Sequence, residues 1–482
     1  MNFARHGLVV GIVVCSSAMH LHGQCDVSWD GDDSSNNFAE PTNWDGDIVP
    51  GSGDTVCHDT GTDVIIVNVG TPGVPHEVES FRGDGGSNRG LTVGDSAARG
   101  LKVLMDFIGA VAQSGGAYDV TVASESLLWI VGAMEQVNLT VEEGSTTDVT
   151  ELLVDGDFVT ALETSMDVQG ATSGTSATTR VAIAGRVTDA DDNPSSLDPF
   201  VLAAESPTVE VSIGAVVHDM ATEPLQDDTA RYVFNHGAQV EVQTYVVGGE
   251  WLIGESSDGG DTLLEIAASP NAGELEGAHL VTEGTWRITN ATVTLACAPE
   301  AGFATTFGDF ELDDGAIMTA PDVFDFGTWR IAGGSRLTGL MFEDNGPNSL
   351  CHGVTSQLFS NEGVWIVDDA EIATTGQIWN GVWELRNGAR VGLPLVDNNH
   401  GNPSVPHNVL LEHFTVSGGS VLTTGSFSTN LTPPARLTVD ASRVEVMGTA
   451  DFSELTSSFA LLGGMTDESL HGVDDFSATL AR

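Results

Sequence analysis

The apolar positions of this chain come in short runs of roughly four to six residues, many of them alternating with polar ones. Val64-Ile65-Ile66-Val67, Leu127-Leu128-Trp129-Ile130-Val131, Val209-Glu210-Val211-Ser212-Ile213 and Val240-Glu241-Val242-Gln243-Thr244 are examples, and Gly, Asn, Asp and Ser separate them. Alternate side chains of a strand point to opposite faces, so each run predicts a short strand with one face buried. The 57 glycines break up nearly every window that would suit a helix longer than three turns. Leu101 to Gln113 reads equally well as helix or strand, because its β-branched residues and glycine weaken the helical reading.

A repeated unit overlies this pattern. Gly284-Thr285-Trp286-Arg287-Ile288, Gly327-Thr328-Trp329-Arg330-Ile331, Gly363-Val364-Trp365-Ile366-Val367 and Gly381-Val382-Trp383-Glu384-Leu385 share one shape, and Gly249-Glu250-Trp251 opens like them. Each is followed by a tight turn and a second strand. The tryptophans are 35, 43, 36 and 18 residues apart, which suggests one or two units of about 18 to 22 residues. A period of that length suits a solenoid whose coils bury their inner faces only by stacking on their neighbours. The expected fold is therefore all-β, a parallel β-solenoid in the form of a right-handed β-helix with an N-terminal cap. Residues 1–24 are the leader, 25–89 the cap and first strands, and 90–482 the repeats.

Charge narrows the partners. The formal net charge is −53, from 69 acidic and 16 basic residues, with Lys102 the one lysine. Nucleic acids and anionic membrane surfaces need Lys and Arg to neutralise phosphate, so both are excluded as partners. Neutral or cationic partners remain, among them extracellular polysaccharide and surface components. Such self-repulsion favours screening by salt or binding of Ca2+. The chain is nevertheless expected to fold, since 41% of its residues are hydrophobic and recur regularly.

The first residues read as an export leader, with Arg5 and His6 before an apolar stretch from Gly7 to Val14 and a small-residue exit. The protein is then secreted or held at the cell surface, with no transmembrane segment once the leader is removed. Cys25, Cys57, Cys297 and Cys351 remain in an oxidising compartment. Three pairings are open; Cys25 with Cys57 and Cys297 with Cys351 would each staple one region.

Trp29-Asp30-Gly31 followed by Pro41-Thr42-Asn43-Trp44-Asp45-Gly46-Asp47-Ile48-Val49-Pro50-Gly51-Ser52-Gly53-Asp54 resembles the opening of large secreted bacterial β-helix proteins. These include proteins with autotransporter-associated β-strand repeats. The resemblance covers about thirty residues at the N-terminus, the later repeats being only generically similar, and implies an adhesin-like or passenger-like solenoid. The chain shows no C-terminal barrel pattern of alternating strands with aromatic girdles. Within the motif, Trp44 is expected to plug the open end of the core, and Pro50-Gly51 with Gly53-Asp54 to form turns. Trp29 and Trp44 are also candidates for stacking on a sugar ring.

Other motifs are partial. Asp189, Asp191 and Asn193 have the one-three-five spacing of a calcium loop, but Pro194 stands where such a loop needs glycine and the closing glutamate is missing. Asp30, Asp32 and Asp33 form a weaker version. Arg82-Gly83-Asp84 spells an integrin tripeptide in what reads as a glycine-rich loop, and Asn138, Asn290 and Asn430 begin N-x-Thr sequons. His400, His407 and His413 match no usual metal spacing.

Catalytic signatures are missing: there is no nucleophile elbow, HExxH, dinucleotide fingerprint or phosphate loop. The expected function is thus a non-catalytic extracellular or cell-surface structural solenoid, calcium-stabilised. The alternative is a secreted β-helix polysaccharide lyase or glycoside hydrolase, with Arg330, Arg336, Arg386 or Arg390 beside Asp368 and Asp369.

Overall fold

The computed structural model describes residues 25–462 apart from stretches between strands, the longest being 190–199, 218–229, 267–277, 340–357, 393–407 and 447–459. The described chain is a parallel β-solenoid of short strands with a single 3-10 turn, Pro41–Asn43. Three ladders run its length. Ladder I is a 16-stranded sheet beginning with Val64–Val67 and ending with Ala460–Leu462. Ladder II begins with His76–Val78 and Gly100–Val103, and ladder III with Val27–Ser28, Thr55–His58 and Ser80–Asp84. Two long strands, Thr179–Asp189 and Val209–Val217, run unbroken around the corner between ladders II and III and join them into one sheet.

Every inter-strand pairing between neighbouring coils is parallel, and the register places like with like. In ladder I, Tyr232, Trp251, Trp286, Phe310, Trp329, Trp365, Trp383 and Phe414 occupy one inward position in successive coils. Their rings form a continuous stack with centroid spacings of 4.2, 4.8, 5.3, 4.3, 4.8, 4.7 and 5.5 Å. The column continues toward the N-terminus as Leu202, Met166, Leu139, Val120, Leu91 and Ile65. The strands match a spacing of about 4.8 Å, so ring stacking and backbone pairing reinforce each other.

The tryptophan spacing has a different meaning from the one its arithmetic suggests. Trp251 and Trp286, 35 residues apart, lie in adjacent coils, as do Trp329 and Trp365, 36 apart, and Trp365 and Trp383, 18 apart. The interval of 43 spans two coils, because Phe310 sits between Trp286 and Trp329. Coil length varies twofold while the inward position stays constant.

The corner after each ladder I strand turns through left-handed residues, including Asn290, Asp314-Gly315, Gly333-Gly334, Asp369, Asn387-Gly388 and Gly418-Gly419. A small buried residue follows: Ala291, Ala316, Ser335, Ala370, Ala389 and Ser420. In earlier coils, buried hydroxyls at this edge accept backbone N–H groups, as Thr150 does from Glu125 at 2.8 Å and Thr262 from Gly237 at 2.9 Å. The corner between ladders II and III is a column of peptide hydrogen bonds, Met105 to Glu79, Gly132 to Met105, Gly156 to Gly132 and Gly185 to Gly156. A Cβ on Gly156 would land on the Gly132 carbonyl.

The N-terminal segment closes the first coil. Val27–Ser28 pairs with Val56 and Cys57 on ladder III, and Asn37 pairs with Ile66 on ladder I. The Pro41–Asn43 turn brings Trp44 into an antiparallel bridge with Trp29. The two indoles meet edge to face at 4.9 Å, and Trp44 Nε1 donates to the Phe38 carbonyl at 2.8 Å. A disulfide joins Cys25 to Cys57, tying cap to first coil.

Candidate functional site

With the interior filled by aliphatic and aromatic side chains, chemistry is confined to the outer rows of the ladders and to the few polar groups in the core. On the outer rows, cations bridge carboxylates of neighbouring coils. Arg180 lies between Glu151 and Glu210 in the ladder II register and contacts them at 2.9 and 3.2 Å. Arg287 and Arg330 flank Glu311, at 3.0 and 3.9 Å. Arg186 pairs with Asp157, Arg231 with Glu250, and Lys102 with Glu77 while also lying 4.2 Å over the Trp129 ring. In a parallel solenoid identical rows stack directly, so an acid-rich row repels itself unless a cation is interleaved. These side chains are half exposed, and each pair contributes at most about 1 kcal/mol.

The residues weighed for polysaccharide cleavage divide between two faces. Asp368, Arg386 and Arg330 belong to ladder I, whereas Arg336 and Arg390 flank Glu371 on ladder II. Asp369 occupies the left-handed corner between them. Asp368 accepts hydrogen bonds from Asn387 Nδ2 at 2.7 Å and Arg386 Nε at 2.8 Å. The Asn387 hydrogen bond, with Arg386 and Arg330 adding to it and slight burial opposing, holds the carboxyl below the usual carboxylate range. That environment keeps Asp368 an anion and leaves it unsuited to donate a proton.

Both tryptophans proposed as sugar platforms, Trp29 and Trp44, are 0% exposed. This corrects the sugar-stacking expectation: the cap folds over the first coil, each ring packs against the other, and no face is open to a pyranose. Arg82-Gly83-Asp84 is likewise not a loop; it forms part of strand Ser80–Asp84, paired on both sides. Asp189 ends a strand, while Asp191 and Asn193 lie outside the described residues, as do Asp32, Asp33, Asn430, His400, His407, Cys297 and Cys351. Asn138 is engaged within ladder I, donating to Asp119 at 3.0 Å and accepting from the Ser165 amide at 3.1 Å. Asn290 stands at a corner with positive φ, and His413 is exposed at a strand start. Among the described residues, no group of three or more His, Cys, Asp and Glu side chains is arranged to hold a metal, and no helix is long and apolar enough to cross a membrane.

One core constellation was not singled out from the sequence. His58, fully buried, meets the hydroxyl of fully buried Tyr118 at 2.9 Å through Nδ1. Burial, with the charge of Arg89 adding to it, lowers the His58 pKa to about 4. Burial likewise pushes Tyr118 up, with Asp119 reinforcing and Arg89 opposing. The partners are 60 residues apart, and the only sequence trace is a polar residue at a position where the alternation calls for an apolar one. Compared with protein-family models, curated proteins and solved structures, the chain gives no match.

Proposed function

We propose that this chain is a non-catalytic, exported structural protein of the cell surface or extracellular matrix, presenting a long acidic face and stabilised by Ca2+. The observation that carries this reading is the way charge is distributed. Carboxylates recur on outer rows of ladders I and II from Glu77 to Asp440, and the described ion pairs link neighbouring coils instead of converging on one cleft. An enzyme acting on polysaccharide concentrates its acids and base in one groove. Here Arg386 is paired with Asp368, and Arg336 and Arg390 lie on another face.

The cap motif supports kinship with secreted bacterial β-helix proteins carrying autotransporter-associated repeats, and the leader-like N-terminus supports export. Extracellular polysaccharide or other surface components are the proposed partners, met through calcium bridges. The test is a thermal melt of the purified mature chain with calcium and with chelator, run beside a screen for unsaturated sugar release from acidic polysaccharides. A calcium-dependent rise in melting temperature without product is the expected result. Release of product would replace this reading with the lyase.

A further inference from the structure

The His58–Tyr118 pair is built as a strut across three coils. His58 ends strand Thr55–His58 and points inward; in the coils that follow, Gly83 and Gly109 occupy the same position. A Cβ on Gly83 would strike the Tyr118 ring, and one on Gly109 would press on Tyr118 Cβ at 3.1 Å. The two glycines thus open a slot in the core wall. Tyr118, from the next ladder I strand, lies in that slot and reaches back to His58. Phe81 and Phe107 pack beside its ring at 6.0 and 6.2 Å, and Trp29 of the cap sits 6.2 Å from His58. The charged and titratable groups around His58 are Tyr118 itself, Asp119 beside it on the outer surface, and Arg89, whose positive charge acts on both members of the pair.

Nδ1 is matched by the Tyr118 hydroxyl, but Nε2 has no hydrogen-bond partner and no exposure. In either neutral tautomer one imidazole nitrogen is therefore unmatched. Protonation would make Nε2 a charged donor facing indole and aromatic carbon, which is far more costly. We propose that this strut is an acid-released clasp: on acidification the first three coils open around His58, while the aromatic-stacked coils from Tyr232 onward stay closed. The Cys25–Cys57 disulfide keeps cap and first coil linked during opening, so the transition is reversible.

The sign follows from linkage. The closed state refuses a proton that the open state accepts, so opening is favoured as pH falls from 6.5 toward about 4 and is independent of pH above that window. Between pH 7 and pH 5 the opening constant should rise about twenty-fold.

Hydrogen–deuterium exchange of the full chain, read by mass spectrometry at both pH values and corrected for intrinsic rates, measures this directly. Peptides covering 55–58, 80–84 and 107–110 should show the twenty-fold rise, peptides from 232 to 414 should not, and His58→Gln should abolish the difference. An equal rise in His58→Gln, or one spread evenly along the solenoid, would overturn the clasp. Exchange at the His58 Cε1–H gives a second reading on the unaltered protein, with an expected titration midpoint below 5; a midpoint near 6.5 would equally overturn it.

Discussion

Replacing Trp329 by alanine should open the solenoid locally. The ring is fully buried and stacks on Phe310 at 4.3 Å and 8° and on Trp365 at 4.8 Å and 7°. Truncation of a buried Trp to Ala costs about 3–5 kcal/mol, and an aromatic pair carries about 0.5–1.5 kcal/mol beyond its burial. With a parallel ring lost on each side, the upper part of the range applies, about 4–5 kcal/mol, or roughly three decades in the local opening constant. Coils touch only their neighbours, so the loss should fade within about two coils. Hydrogen exchange resolves it: amides of 310–312, 329–331 and 365–367 should lose protection while 118–122 keep theirs. Trp329→Phe retains the stack and should cost less than half as much. Equal losses for Ala and Phe would remove the role assigned to stacking, and a uniform loss along the chain would show that the coils unfold as one block.

Other consequences are equally measurable. Gly156→Ala should destabilise by about 2 kcal/mol or more in a chemical melt, since its Cβ would meet the backbone of Gly132, which cannot yield. Gly388→Ala, with open space but φ +88°, should cost only the left-handed penalty of about 1–2 kcal/mol; the reverse order would refute the corner account. Cys57→Ser removes a link between residues 32 apart and should cost about 3–4 kcal/mol, confined to exchange in the cap and first coils. Raising NaCl from 10 mM to 0.5 M should increase the melting temperature, because a charge of −53 outweighs the surface ion pairs that salt also weakens; a falling melting temperature would mean the cross-coil pairs dominate.

The strand-by-strand alternation and the recurring Gly-x-Trp unit carried the solenoid in plain view. Stacked identical positions are the only way short half-apolar strands bury a common core, and Trp251, Trp286, Trp329, Trp365 and Trp383 all face inward at one position. The turn residues at 290, 314, 369 and 387 were legible for the same reason: Asn, Asp and Gly tolerate a left-handed corner. Phe310 was missed because it lacks the tryptophan signature although it fills the same slot.

What the amino-acid order alone determined, then, is the local pattern: strand, corner, inward ring, and the excess of carboxylate. Register was decided only in three dimensions, because coils of 18 and 36 residues stack equally well once chain between strands is free to vary in length. That choice settles which charges pair, as with Arg180 between residues 29 and 30 positions away. It buries Trp29 and Trp44 under their own cap, splits the arginines between two faces, and sets Tyr118 in a groove of two glycines against His58. Contacts between residues far apart in sequence depend on every intervening coil length, and no local periodicity encodes that sum.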